Sequence, residues 1–504
     1  MLVYFSACAL AGATTEIDPY DGAHHTVLAW NLASTGQYAR ETYGHLEVWP
    51  VEITVGPTLI VPMALGFRIA GWGPFVPNFV CAVLSLGLVA WLWARIVRVS
   101  MEPEAALSSF VALCLLLTLT VKGFSYFYLP YGEVVAGLLC CLAVVIVFGR
   151  DRPGRIQVCV SGVLTALAIN CKFLALLPGL ALGTSLWALP GVRPSRREAL
   201  LLWLGRAAVV FALVEADKLR ELGSLGNYLV NWRDFVRQLF RHSGSGLGAA
   251  ESPLRTRVAS HAGLLVVYLH WFLVPFAIAL AAWPVLVVRS LRVGADTATR
   301  TAAVLGAEIV PMLVWFVALC GRPWLRYVLI TMISLPVYAH FALTSMVRAA
   351  RGPALRGALV VGWLGLLAAA FVVSPRRTMN VPYPSLERAP RTVALFAASD
   401  WIRETRRANP AARFWGSAWW RHWDLQTLVD LRPMADVSDP ESDRLRTAGN
   451  DYLITSDFFD WEKRPRTQAI LRDNAQNVVF RNRYFAIYRL APPAQGSAEE
   501  QRAP

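Results

Sequence analysis

Residues 56–70 read Gly56-Pro57-Thr58-Leu59-Ile60-Val61-Pro62-Met63-Ala64-Leu65-Gly66-Phe67-Arg68-Ile69-Ala70. Whether this stretch crosses a membrane decides the topology of the whole chain. It is apolar, but Pro57, Pro62 and Gly66 weaken a helix and Arg68 places a charge near its end. If it crosses, Arg95 and Arg98 face outward. If it lies in the interface or re-enters, all the Arg-rich spacers fall on one side: Arg95/Arg98, Arg150/Arg152/Arg155, Arg193/Arg196/Arg197, Arg289/Arg292/Arg300 and Arg348/Arg351/Arg356. The positive-inside bias makes that side cytoplasmic, so the stretch is read as non-crossing.

Eleven apolar runs surround it: Leu2 to Ala13, Val76 to Ala94, Ala105 to Val121, Val134 to Phe148, Val158 to Ile169, Phe173 to Leu189, Leu200 to Val214, Gly263 to Val288, Ala302 to Cys320, Tyr327 to Met346 and Ala358 to Val373. A crossing helix needs about 20 apolar residues, and several runs are shorter. The expectation is a mainly α polytopic membrane protein of about eleven spans, N-terminus inside and C-terminus outside. The first run is short and lacks a positively charged start. A cleaved signal peptide looks similar at this length, but without that start the expectation is a misplaced start codon or a tilted, partial first helix.

Composition agrees. Of 504 residues 56% are hydrophobic and 16% charged, against roughly a quarter charged in an average soluble domain. The net charge of +14 comes almost wholly from arginine, since Lys122, Lys172, Lys218 and Lys463 are the only lysines. These arginines cluster between apolar runs, where topology accounts for them, so no nucleic-acid partner is expected. All eight cysteines lie in or beside apolar runs and show neither metal spacing nor a disulfide frame. No G-x-G-x-x-G, Walker or zinc motif is present.

This topology gives the outer face four segments: Thr14 to Val55, Lys122 to Glu133, Glu215 to His261, and everything after Ser374. The expected division is a transmembrane domain over 1–373, with its first outer loop at 14–55, a Pro-rich linker over 374–391, an α/β domain over 392–490 and a frayed tail over 491–504. The α/β reading rests on a helix-like run Thr392 to Arg407 followed by short β-type runs at Arg413 to Trp415, Tyr452 to Thr455, Val478 to Phe480 and Phe485 to Arg489. The Gly-rich run Ser243 to Gly248 does not lead into a helix, so it reads as a cover rather than a phosphate cradle. The aromatic run Phe414 to Trp420, with Trp423, could stack on sugar rings, but better suits a small domain's core or a membrane contact.

The first outer loop carries Glu16, Asp18, Asp21, His24 and His25 ahead of a helix-compatible stretch, Thr26 to Thr35, that stops at Gly36. Asp21 is either a helix N-cap or a general base near the lipid–water boundary; spacing alone does not separate the two. Lys172 between apolar runs is costly at membrane depth, which favours a functional role over a charge in an outer turn. Arg322 and Arg326 bracket Pro323-Trp324 and suit phosphate oxygens or snorkelling beside an anchoring Trp. Glu133 starts a helix, where it favours the helix dipole or orients the acceptor or Lys122. Adjacent histidines on a helix point about 100° apart, so His24 and His25, with His45, are not expected to hold a metal; a divalent ion is possible but not expected.

The stretch Asp21-Gly22-Ala23-His24-His25 through Ala29-Trp30-Asn31-Leu32, with Gly36 and the Gly56-Pro57 step beyond, resembles the first periplasmic loop of the GT-C membrane glycosyltransferases. It is most similar to bacterial relatives of the dolichyl-phosphate-mannose protein mannosyltransferases and the aminoarabinose transferases. Asp21 occupies the Asp of that family's Asp-Glu pair and Gly22 replaces the Glu. His24 and His25 stand for the two aromatics, and Trp30 for an Arg, which keeps Asp18 as a second candidate base. Tyr131-Gly132-Glu133, Lys172 and Arg326-Tyr327 match further pieces, and the architecture matches over nearly the whole chain.

The resemblance implies an inverting glycosyltransferase of the bacterial inner membrane. Its donor would be a sugar on a polyprenyl phosphate, and its acceptor an extracytoplasmic lipid, glycan or protein. One carboxylate, Asp21 or Asp18 with Glu133 in support, would act on the acceptor, while Lys172, Arg322 and Arg326 held the phosphate leaving group and His24 and His25 lined the loop. Two other readings stay open: a transporter, for which Arg206, Glu308 and His340 lie inside runs, and a non-catalytic envelope scaffold of the same architecture.

Overall fold

A computed structural model of the chain describes residues 2–15, 21–42, 45–51, 55–99, 127–151, 153–190, 195–241, 253–321, 324, 326–373, 390–416, 451–456 and 465–490. Asp18, the run Ala105 to Val121, Lys122, the Gly-rich run Ser243 to Gly248, Arg322, most of the linker, Trp419, Trp420, Trp423 and the tail after Leu490 lie outside the described residues. The chain divides into two compact units, one built from Met1–Leu10, Val51–Pro62 and Phe79–Pro384, the other from Ala11–Pro50, Met63–Asn78 and Ser385–Pro504.

The first unit is helical, and every described apolar run forms helix. Among the described residues, six helices are long and apolar enough to cross a membrane: Val76–Val99, Arg196–Leu222, Leu273–Ser290, Thr297–Leu319, Arg326–Ala349 and Pro353–Ala370. Shorter apolar helices are Pro57–Ala70, Glu133–Phe148, Arg155–Cys171 and Phe173–Ala188. The chain is a membrane protein: rows of exposed Leu, Val and Ile, such as Leu201, Leu204, Val209 and Leu213 on one helix, suit lipid and not water.

Glu133–Phe148 is apolar all round and wholly buried, as is the span window of Arg326–Ala349, so these two helices form the centre of the unit. At one end the Arg300 guanidinium donates to the carbonyls of Arg150, Asp151 and Pro190 at 3.3, 3.1 and 3.5 Å. It thereby satisfies carbonyls just past two helix ends that have no intrahelical donor.

The 56–70 stretch is a 14-residue helix, Pro57–Ala70. At 1.5 Å per residue it spans about 21 Å, short of a hydrocarbon core of about 30 Å. Two stretches depart from the sequence reading, the run Gly263 to Val288 and the outer segment Glu215 to His261. The single run Gly263 to Val288 breaks into Leu254–Leu269, a 3-10 turn at His270–Phe272, Leu273–Ala281 and Trp283–Ser290. Pro275 and Pro284 lack the N–H that a continuous helix needs, and Pro284 sits in the first turn of its segment, where that lack is harmless. The outer segment Glu215 to His261 is not a plain loop: Arg196–Leu222 runs on through Glu215 and stops at left-handed Gly223, after which Leu225–Arg241 is a second helix.

In the second unit a four-stranded sheet has the order β3-β4-β6-β5, with β3 Arg413–Trp415, β4 Asp451–Ser456, β5 Val478–Arg481 and β6 Phe485–Arg489. The β3–β4 pair is parallel; β4–β6 and β5–β6 are antiparallel. The helix Pro390–Ala408 covers one face, burying Leu395, Ala398 and Ile402 against Phe414, Tyr452, Ile454 and Ile487. The buried Asp451 carboxylate accepts from Arg413 Nε at 2.7 Å, Arg413 Nη2 at 3.0 Å and Trp415 Nε1 at 3.2 Å, tying β3 to β4 at their shared end. The same unit holds the helix Asp21–Thr35 and an antiparallel hairpin of β1 Ala39–Thr42 and β2 His45–Val48.

Candidate functional site

Lys172 sits at a break in the helical path. Arg155–Cys171 ends there, the backbone turns extended, and a 3-10 turn begins at Phe173. The extended residue forms a bridge with Val55, and Gly56 N donates to Cys171 O at 3.2 Å. A side chain on Gly56 would run into the Asn170 carbonyl, so only glycine fits this approach. On the other side Gly132, left-handed at φ 85°, lies against Cys171 and Val55, and it aims the chain into the helix that Glu133 begins.

The junction buries two charges. Lys172 Nζ lies 2.9 Å from Glu133 Oε1, with side-chain exposures of 4% and 0%. The ammonium also donates to Tyr131 O at 3.2 Å, while Glu133 Oε2 makes no hydrogen bond among the described residues. Removing two charges from water is repaid only by close pairing, and the pair has that geometry. Glu133, expected to orient the acceptor or Lys122, thus faces Lys172. Three separately quoted pieces, Gly56-Pro57, Tyr131-Gly132-Glu133 and Lys172, meet in one place.

Arg326 opens the helix Arg326–Ala349. Its guanidinium stands 4.4 Å from the Trp324 ring centre and 5.6 Å from that of Tyr327, and the two rings stack on each other. Aromatic faces hold the cation in place.

In the second unit Asp21 is the first residue of the helix Asp21–Thr35, which stops at left-handed Gly36, the position the sequence marked as its terminator. His24 and His25 follow on this helix and are buried. Arg40, also buried, donates from Nη1 to His24 Nε2 at 2.9 Å and from Nε to Glu47 Oε2 at 2.6 Å. A guanidinium has donors only, so His24 Nε2 accepts and the ring is the neutral tautomer with its proton on Nδ1. Burial first, then the Arg40 and His25 charges, hold the His24 pKa well below the ordinary 6.5.

Arg40 and Glu47 escaped the sequence reading. Their signal is a pair of opposite charges flanking Tyr43-Gly44, and the hairpin register sets them directly opposite each other. Among the described residues no group of three or more His, Cys, Asp or Glu is placed to hold a metal ion.

Among solved structures the chain is similar to ArnT from Cupriavidus metallidurans in the apo state, with a TM-score of 0.59 at 15% identity over 97% of both chains. The same protein bound to undecaprenyl phosphate gives 0.55 at 16% identity, again over 97% of both. The Archaeoglobus fulgidus oligosaccharyltransferase in complex with Zn and sulfate gives 0.50 at 12% identity, over 89% of this chain and 67% of that one. No family model and no curated protein matches the chain. At these identities the likeness is one of fold.

Proposed function

We propose, from the premise that the chain has the GT-C fold, that it moves a sugar from a polyprenyl-phosphate carrier to an acceptor outside the cytoplasm. The observation that carries the reading is the likeness, over nearly the full length of both chains, to ArnT solved with undecaprenyl phosphate bound. A buried lysine at a break between apolar helices supports it.

The proposed topology is eleven spans in a bacterial inner membrane with the C-terminal α/β domain, 392–490, on the periplasmic side. Asp21, with Asp18 as the rival, takes the proton from the acceptor. The acceptor oxygen then forms a bond to the anomeric carbon as the bond from that carbon to the phosphate oxygen breaks on the opposite face, inverting the configuration. The leaving group is a phosphate anion, so it needs cations and not a second acid; Lys172, Arg322 and Arg326 take that role. Glu133 acts on Lys172 by fixing where its ammonium lies, and His24 and His25 belong to the loop that carries the base.

The test is sugar transfer by the full chain in vesicles supplied with polyprenyl-phosphate sugars, comparing Asp21→Asn and Asp18→Asn. Loss of transfer in one of the two identifies the base. Unchanged activity in both removes the mechanism, and solute flux without any transfer favours a transporter instead.

A further inference from the structure

The helix Leu225–Arg241 lies outside the machinery described so far, and its sequence is sharply two-faced. At about 100° per residue, Leu225, Leu229, Trp232 and Val236 fall along one face. Asp234, Asn231 and Gln238 fall on the opposite arc, and Arg233 and Arg237 sit on the border.

Part of the apolar face is packed. Trp232 Nε1 donates to Glu215 at 2.8 Å, the Lys218 ammonium stands 4.6 Å from the Trp232 ring centre, and Phe235 meets Phe173 edge-on at 5.8 Å. The first two contacts clamp the helix to the end of Arg196–Leu222, with Gly223 as the elbow between them, and the third ties it to the 3-10 turn after Lys172. The rest of the face is open: Leu225 is 62% exposed, Leu229 57% and Val236 43%. Beside it Arg233 and Arg237 are both more than half or half exposed and share a single acid, Asp234, at 3.1 and 3.6 Å. The chain enters this helix straight from the candidate span Arg196–Leu222, on which Leu213 and Leu219 are exposed.

We propose that Leu225–Arg241 is an interfacial anchor whose occupant is the surface of an anionic bilayer. Leu225, Leu229 and Val236 enter the boundary between headgroups and acyl chains, while Arg233 and Arg237 meet lipid phosphates. Continuity with a lipid-facing span, an uncovered apolar strip and a positive border select a bilayer over a protein partner. The Lys218–Trp232–Glu215 clamp sets the angle at which the helix leaves the span.

The experiment is electron paramagnetic resonance with a nitroxide at Leu229→Cys or Asp234→Cys on the full chain, with unmodified protein labelled in parallel to subtract native cysteines. In vesicles of phosphatidylglycerol and phosphatidylcholine the label at 229 is expected to favour oxygen over a water-soluble nickel chelate, and the label at 234 the reverse. The depth at 229 should fall towards that at 234 in pure phosphatidylcholine and in the Arg233→Gln/Arg237→Gln variant. A label at 229 as open to nickel as the one at 234 overturns the proposal. One shielded from both reagents does so too, by revealing a protein contact or a second copy. A depth indifferent to both lipid charge and the two arginines removes the anionic surface as the occupant.

Discussion

The Lys172 ammonium and the Glu133 carboxylate form a 2.9 Å ion pair at the meeting point of three chain segments, with both side chains withdrawn from solvent. The cost of that burial makes the pair a sensitive reporter of the junction. Removing one partner strands a buried charge, at a cost of about 3–5 kcal/mol, whereas removing both charges together leaves a neutral, packed site. We predict that Lys172→Met lowers the thermal midpoint more than the Lys172→Met/Glu133→Gln double variant does, measured by thermal unfolding in detergent. Transfer activity should be lost in both if Lys172 holds the donor phosphate. Activity in the double variant would confine Lys172 to architecture.

Gly56 gives a second test of the same junction. Its missing side chain is what lets the Asn170 carbonyl approach, so Gly56→Ala should destabilise by about 1–3 kcal/mol through overpacking. Gly87, on the exposed side of Val76–Val99, has open space around it, and Gly87→Ala should be neutral or mildly stabilising. Equal midpoints for the two variants would mean that the close approach is not tight.

His24 predicts a pH dependence with a definite sign. Its folded pKa lies below its unfolded value of about 6.5, so the unfolded chain binds more protons between the two. The stability from the neutral ring is full above 6.5 and is lost as pH falls below that, at up to about 1.4 kcal/mol per pH unit. His24→Gln keeps an acceptor for Arg40 and cannot titrate. Thermal midpoints of the two proteins should therefore diverge between about pH 7.5 and 5, and parallel curves would refute the assignment.

Asp451 holds the first two strands of the tail sheet together through Arg413 and Trp415. Asp451→Ala leaves the Trp415 N–H buried without an acceptor and removes a charge-assisted pair. The expected cost is about 2–4 kcal/mol. Limited proteolysis should cut the tail of this variant well before that of the unmodified chain, and equal rates would show that the pair adds little.

Much of the architecture was legible in the amino-acid sequence. An apolar run in lipid must satisfy its own backbone, so it becomes a helix wherever it occurs, and the described runs did. The tail's strands also lie where β-branched and aromatic runs placed them, because strand formation at Tyr452–Thr455 or Phe485–Arg489 follows from local pattern. Left-handed Gly36 ends its helix for an equally local reason.

Only the tertiary structure decided which charges meet. Glu133 and Lys172, or His24, Arg40 and Glu47, are joined by backbone turns and hairpin register that bring distant residues together, and no periodicity encodes such pairings. Tertiary packing likewise settled that residues 57–70 form a helix of only four turns or so, bounded by the Gly56 junction at one end and Gly71 at the other. Hydrophobicity is a property each residue carries along the chain, while an ion pair is a property of two residues in space. The sequence therefore determined the helices and their lipid-facing surface, and the fold alone decided where its buried charges stand.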